Sequence, residues 1–164
     1  MLEVYDLRTE YLKNPLGIDA SQPRLSWKIR SRARGVVQTS YRITAFSDGK
    51  LIWDSGRVES GQSQRVRYGG ERLGSRQKVA WQVQVTARDE TGAVMEAQSP
   101  EAVFEMGLLG KADWQGKWIE PEDEVDIEAR KPAPYLRREF TVHKKIRSAR
   151  IYQSAHGLYE FWIN

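Results

Sequence analysis

The sequence has no cysteine and only two histidines, His143 and His156. The first absence rules out disulfides and thiolate metal sites and fits a reducing compartment. The second leaves no local metal-ligand spacing, so neither a metal nor a cofactor is expected. No apolar run approaches the roughly 20 residues needed to cross a bilayer. The opening Met1-Leu2-Glu3-Val4-Tyr5-Asp6 has neither the basic start nor the apolar core of a secretory signal, which gives the expectation of a cytoplasmic chain without a membrane partner. No strand leads into a glycine cluster that opens a helix, and no serine sits in a Gly-x-Ser-x-Gly elbow. Phosphate loops and that form of nucleophilic catalysis are therefore absent.

Positive charge is present but modest, a net +4 with a pI near 9.4. Arg30, Arg32 and Arg34 form the densest run, and Arg65, Arg67, Arg72, Arg76 and Lys78 a looser one. No aromatic stacking platform is interleaved with them in the sequence, so they read as solvated turns and outward strand faces instead of a nucleic-acid patch.

What the chain does have is alternation. In Pro23-Arg24-Leu25-Ser26-Trp27-Lys28-Ile29, apolar Leu25, Trp27 and Ile29 fall on one face of a strand, and Arg24, Ser26 and Lys28 on the other. Trp81 to Arg88 repeats the pattern, with Trp81, Val83, Val85 and Ala87 inward and the glutamines, Thr86 and Arg88 outward. Leu2 to Leu12 reads as an edge strand, and Tyr41, Ile43 and Ala45 line a further one. Asp48-Gly49 is a hairpin signal leading to Leu51-Ile52-Trp53. Asp54-Ser55-Gly56 makes a second turn, and a weaker strand lies within Val58 to Tyr68. Asp89-Glu90-Thr91-Gly92 closes another hairpin, and Pro100 marks an edge or a bulge in the return from Ala93 to Phe104. About seven short strands at roughly 8–12-residue spacing indicate a β-sandwich built over Trp27 and Trp81.

Gly107-Leu108-Leu109-Gly110 breaks this pattern. The domain boundaries are therefore set at 1–108 for a complete sandwich and 109–164 for the first strands of a second, truncated one. Those strands are Trp114–Ile119, Tyr135–Val142, Ser148–Tyr152 and Tyr159–Ile163. A last strand with no turn or partner after it suggests a chain that is cut. Its unpaired edges and apolar faces would then drive self-association or folding of the tail onto the first sandwich.

Chemistry is sparse. Asp48, Asp54, Asp89 and Glu90 fall where turns explain them. The acidic stretch Glu120, Glu122, Asp123, Glu124, Asp126 and Glu128 lacks the spacing and central glycine of a calcium loop and reads as a solvated connection. No catalytic residue is assigned. Trp114 and Trp118 are the candidates for carbohydrate binding: four residues apart, they would share one strand face as a stacking pair for a sugar ring, or else be buried against Phe140 and Phe161.

Several separated motifs carry a resemblance. Tyr11-Leu12-Lys13-Asn14-Pro15-Leu16-Gly17-Ile18-Asp19 followed by Pro23-Arg24-Leu25-Ser26-Trp27 resembles the amino-terminal opening of bacterial α-L-rhamnosidases. So do Trp53-Asp54-Ser55-Gly56, Trp81-Gln82-Val83, Trp118-Ile119, Tyr135-Leu136-Arg137-Arg138-Glu139-Phe140 and Tyr159-Glu160-Phe161-Trp162-Ile163-Asn164. The resemblance implies a fibronectin-type-III-like or immunoglobulin-like β-sandwich at the front of a longer glycosidase. A second β-sandwich would follow, and catalysis by inversion would sit on a later (α/α)6 barrel. The partners so implied are the downstream domains and, through them, rhamnose-containing glycosides. The fragment is expected to be inactive alone; the alternative is a carbohydrate-binding or protein-interaction β-sandwich module. Val79 departs from the fibronectin pattern, which often has a tyrosine two residues before the strand tryptophan; the tyrosine-corner hydrogen bond would be missing.

Overall fold

The structure, a computed structural model, describes residues 1–121 and 133–163. The chain divides into two compact units, Met1–Gly116 and Lys117–Asn164.

The first unit holds β1 (Leu2–Thr9), β2 (Arg24–Ser31), β3 (Val37–Ser47), β4 (Lys50–Asp54), β5 (Val66–Arg67), β6 (Lys78–Arg88), β7 (Val94–Gln98) and β8 (Ala102–Glu105). They form two antiparallel sheets. One is ordered β1-β2-β5; the other runs β4-β3-β6-β7, with β8 also paired to β6. Because side chains alternate along each strand, every strand gives one face to the space between the sheets. Leu25 and Trp27 from β2 meet Ile43 and Ala45 from β3 and Val79, Trp81, Val83 and Val85 from β6, all at most 1% exposed.

The buried tryptophans also satisfy their polar atoms, which burial demands. Trp27 donates from Nε1 to Gln38 Oε1 at 2.9 Å, and Gln38 Nε2 in turn donates to the carbonyls of Ser60 and Gln62. Trp81 Nε1 donates to Thr9 Oγ1 at 3.2 Å, tying the two sheets together. Trp53, read from its alternation as core, is only half-buried, and packs edge-on against buried Tyr68 with ring centroids 5.0 Å apart. Thr86, read as outward, is buried and accepts a hydrogen bond from Thr39 Oγ1 at its carbonyl.

The turns follow the chemistry of their residues. Asp48 (φ 49°) and Gly49 (φ 77°) both take the left-handed region, as a two-residue hairpin between β3 and β4 requires. Pro100 separates β7 from β8 along the same edge of β6, where Ser99 Oγ accepts from Val83 N–H in place of a ladder partner. The weak strand sought within Val58 to Tyr68 reduces to a bridge at Val58 and the two residues of β5.

The chain after β8 differs from expectation. Trp114–Ile119, Tyr135–Val142, Ser148–Tyr152 and Tyr159–Ile163 are not in strands, and among the described residues after β8 the regular structure is one 3-10 turn at Lys111–Asp113. Alternation alone does not make a strand: backbone donors and acceptors need a neighbouring strand to pair with. The acidic stretch beyond Glu120 and the terminal Asn164 lie outside the described residues.

Candidate functional site

Trp114 belongs to the first unit and is 39% exposed; Trp118 belongs to the second and is 65% exposed. Trp118 stacks on the His156 imidazole, ring centroids 4.1 Å apart. Phe140 and Phe161, the proposed burial partners, are themselves exposed.

Of the four turn carboxylates, Asp54 and Asp89 are held by hydrogen bonds within their turns. Asp54 Oδ1 accepts from Gly56 N–H, and its carboxylate is gripped by Arg42, which holds it at about 2. Asp89 Oδ1 accepts from the N–H groups of Thr91 and Ala93 and from the Thr91 hydroxyl, and these bonds hold its carboxyl below the usual range. Neither is poised as an acid or base. Among the described residues no group of three acidic, histidine or cysteine side chains could hold a metal ion.

On the outer face of the larger sheet, Arg42, Thr44, Gln82, Gln84 and Gln98 line an open depression of about 230 Å³. The amide of Gln98 donates to Gln82, and Arg42 is committed to Asp54. The depression has hydrogen-bonding capacity but no titratable pair for bond cleavage.

A more distinctive arrangement lies on the outer face of β1, β2 and β5. Antiparallel register sets Glu3 opposite Arg30, Tyr5 opposite Lys28, and Arg24 opposite Arg67. Arg30 grips Glu3 through two hydrogen bonds of 2.7 Å, and Arg24 binds Glu10 through both its guanidinium and its backbone N–H. At the irregularity between Tyr5 and Arg8, Asp6 (φ 49°) turns its carboxylate into a nest of Lys28 (2.8 Å), Arg8 (3.2 Å) and Lys13 (3.3 Å). Those three cations, Lys28 foremost, hold the Asp6 carboxyl far below the usual range.

Tyrosine rings are woven through these charges. The Arg30 guanidinium lies 4.9 Å from the Tyr5 ring centroid; Arg24 and Arg65 lie 5.0 and 6.0 Å from that of Tyr11. Arg65 and Arg67 are exposed and, among the described residues, neither is paired with a carboxylate. In the sequence these residues are scattered over turns and outward strand faces with no aromatics interleaved. The outward Arg24-Ser26-Lys28 row is legible from alternation, but its continuation to Arg30 in β2 and the pairing of the two-residue β5 with β2, which brings Arg65 and Arg67 alongside, are not.

Comparison with known proteins identifies the fold. Residues 4–110 match the family model described as the Rha78A-like, N-terminal immunoglobulin domain. An α-L-rhamnosidase of Formosa agariphila is 34% identical over 168 residues, covering 95% of this chain and 18% of that protein. One from Streptomyces avermitilis is 38% identical over 123 residues, covering 72% of this chain and 12% of that protein. Among solved structures, the Streptomyces avermitilis α-L-rhamnosidase complexed with L-rhamnose superimposes with a TM-score of 0.66 at 36% identity, covering 73% of this chain and 12% of that one. The α-L-rhamnosidase from Dictyoglumus thermophilum gives a TM-score of 0.65 at 29% identity, with 74% and 14% covered. The chain thus spans less than a fifth of the length of these relatives. With the two-sheet architecture and the match from residue 4 to residue 110 in agreement, this chain belongs to the family of Rha78A-like N-terminal immunoglobulin domains.

Proposed function

We propose that this chain is the non-catalytic amino-terminal portion of an α-L-rhamnosidase, a sandwich that packs against and positions later domains. The observation that carries the reading is one of proportion. The match to the Formosa agariphila relative covers 95% of this chain but 18% of the relative, and Glu3, Glu10, Asp54 and Asp89 serve ion pairs and turns. In this reading hydrolysis of terminal α-L-rhamnosides proceeds with inversion on a downstream (α/α)6 domain, where an acid and a base carboxylate stand far enough apart to admit a water. Exposed apolar side chains after Lys117, Trp118, Phe140 and Trp162 among them, would be covered by the rest of a second β-sandwich. Location in the cytoplasm belongs to the same proposal.

The test is to sequence the gene past the codon for Asn164 and assay the product. A longer frame whose protein releases rhamnose from an aryl α-L-rhamnoside, with the β-anomer formed first by NMR, is the expected result. A stop codon at that point, or a longer protein without rhamnosidase activity, would overturn the reading.

The exposure of Trp118 favours one second reading, a carbohydrate-binding module. Rhamnose at millimolar concentration should then change tryptophan fluorescence of the 164-residue chain. An unchanged spectrum in wild type and in Trp118→Ala would remove it.

A further inference from the structure

We propose that the outward face of β1, β2 and β5 is a docking surface for a carboxylate-bearing polysaccharide, a polyuronate chain. The choice of a saccharide rests on the proposed place of this chain in a glycosidase; the choice of a carboxylate rests on the face itself. Seven cations, Arg8, Lys13, Arg24, Lys28, Arg30, Arg65 and Arg67, stand there against three carboxylates, Glu3, Asp6 and Glu10, so the face carries an excess positive charge comparable to the +4 of the whole chain.

The chemistry the face prefers is visible in its own pairs. Arg30 takes Glu3 two-pronged, nitrogen to oxygen, at 2.7 Å on both arms, which is the planar fork that suits a carboxylate. Arg65 and Arg67 present the same fork outward without a protein carboxylate to fill it among the described residues. Arg67 stands beside Arg24 in the strand register, and Arg65 is steadied on the Tyr11 ring that Arg24 also covers. Two free guanidinium groups held this way lose less side-chain freedom on binding an anion than lysines on long stems would. A nucleic acid would want open ring faces for base stacking, and here the guanidinium groups occupy them.

The experiment is affinity electrophoresis of the full 164-residue chain through gels containing polygalacturonate, with dextran as the neutral polymer. Retardation by polygalacturonate alone is expected, lost in about 1 M salt where the screening length falls to ~3 Å. Replacing both unpaired arginines, Arg65→Asn with Arg67→Ser, should weaken binding about tenfold, as expected for two exposed charge contacts. Asparagine suits the first position because Arg65 holds a left-handed backbone, φ 57°. A charge-matched control, Arg72→Ser with Arg88→Ser, should leave retardation nearly unchanged, and urea midpoints verify that both variants fold. Equal weakening by the two double variants, or wild-type retardation in Arg65→Asn/Arg67→Ser, would overturn the proposal. So would tighter binding to poly-glutamate or to single-stranded DNA, which would give the face to an acidic protein or a nucleic acid. The readout is binding, so its failure is distinct from failure of the hydrolysis assay on a longer chain.

Discussion

Two stretches of this chain carry a strand signal in the sequence and meet different fates. Leu25-Ser26-Trp27-Lys28-Ile29 lies in β2, bonded to β1 on one side and β5 on the other, with Trp27 sealed in the core. Leu136-Arg137-Arg138-Glu139-Phe140 alternates less regularly, yet forms no strand, and Phe140 is 75% exposed. The difference is supply of partners. A strand is stabilised by ladder bonds to neighbours and by a second layer to bury its apolar face, and neither term exists for a strand alone. In the first unit every strand finds both.

The largest effect should come from the core tryptophans. Trp81→Ala removes a fully buried ring from the centre of β6 and should cost about 3–5 kcal/mol, whereas Trp162→Ala in the second unit should change stability by less than about 0.5 kcal/mol. Urea unfolding of both variants checks the contrast. Gly70 sharpens it within the first unit. A Cβ there would stand 2.4 Å from Trp53 Cβ and 2.5 Å from the Tyr68 hydroxyl, so Gly70→Ala should cost about 1–3 kcal/mol by forcing that aromatic pair apart. The same melts report it. Gln38→Ala leaves the buried Trp27 indole N–H without its acceptor and should cost about 1–3 kcal/mol. Gln38→Glu keeps that acceptor but replaces the Nε2 donor with a charged oxygen facing the Ser60 and Gln62 carbonyls, so it should recover none of the loss at neutral pH.

The smallest effect concerns acid. Asp6 and Asp54 both titrate below the ordinary 3.8 in the folded chain, Asp54 at about 2, because cations grip their charged forms. A carboxyl depressed by folding adds stability above its unfolded value, and that contribution disappears as pH falls through the folded value. Asp6→Asn keeps a side chain that tolerates φ 49° and should lose less stability than wild type when pH is lowered below 3.8. Urea midpoints across that range would show parallel lines if the nest around Asp6 were without energetic effect.

Legibility in the sequence follows the same division. The Trp27 and Trp81 strands, the Asp48-Gly49 hairpin and the interruption at Pro100 were readable because each rests on neighbours in the chain. The failed strands after Trp114 carry a local pattern whose outcome depends on distant partners, which no local pattern reports. The cationic face escaped notice for the same reason. Tyr5, Tyr11, Arg30 and Arg65 come together only through sheet register, across a chain separation that hides the interleaving of ring and charge.

Met1–Gly116 should fold as a sandwich on its own, which is checked by cutting the chain after Gly116 and following urea unfolding by tryptophan fluorescence. One cooperative transition, with stability within about 0.5 kcal/mol of the 164-residue chain, is the result predicted. A cut chain that unfolds without cooperativity, or loses several kcal/mol, would contradict it and make the residues after Lys117 part of the sandwich's own stability.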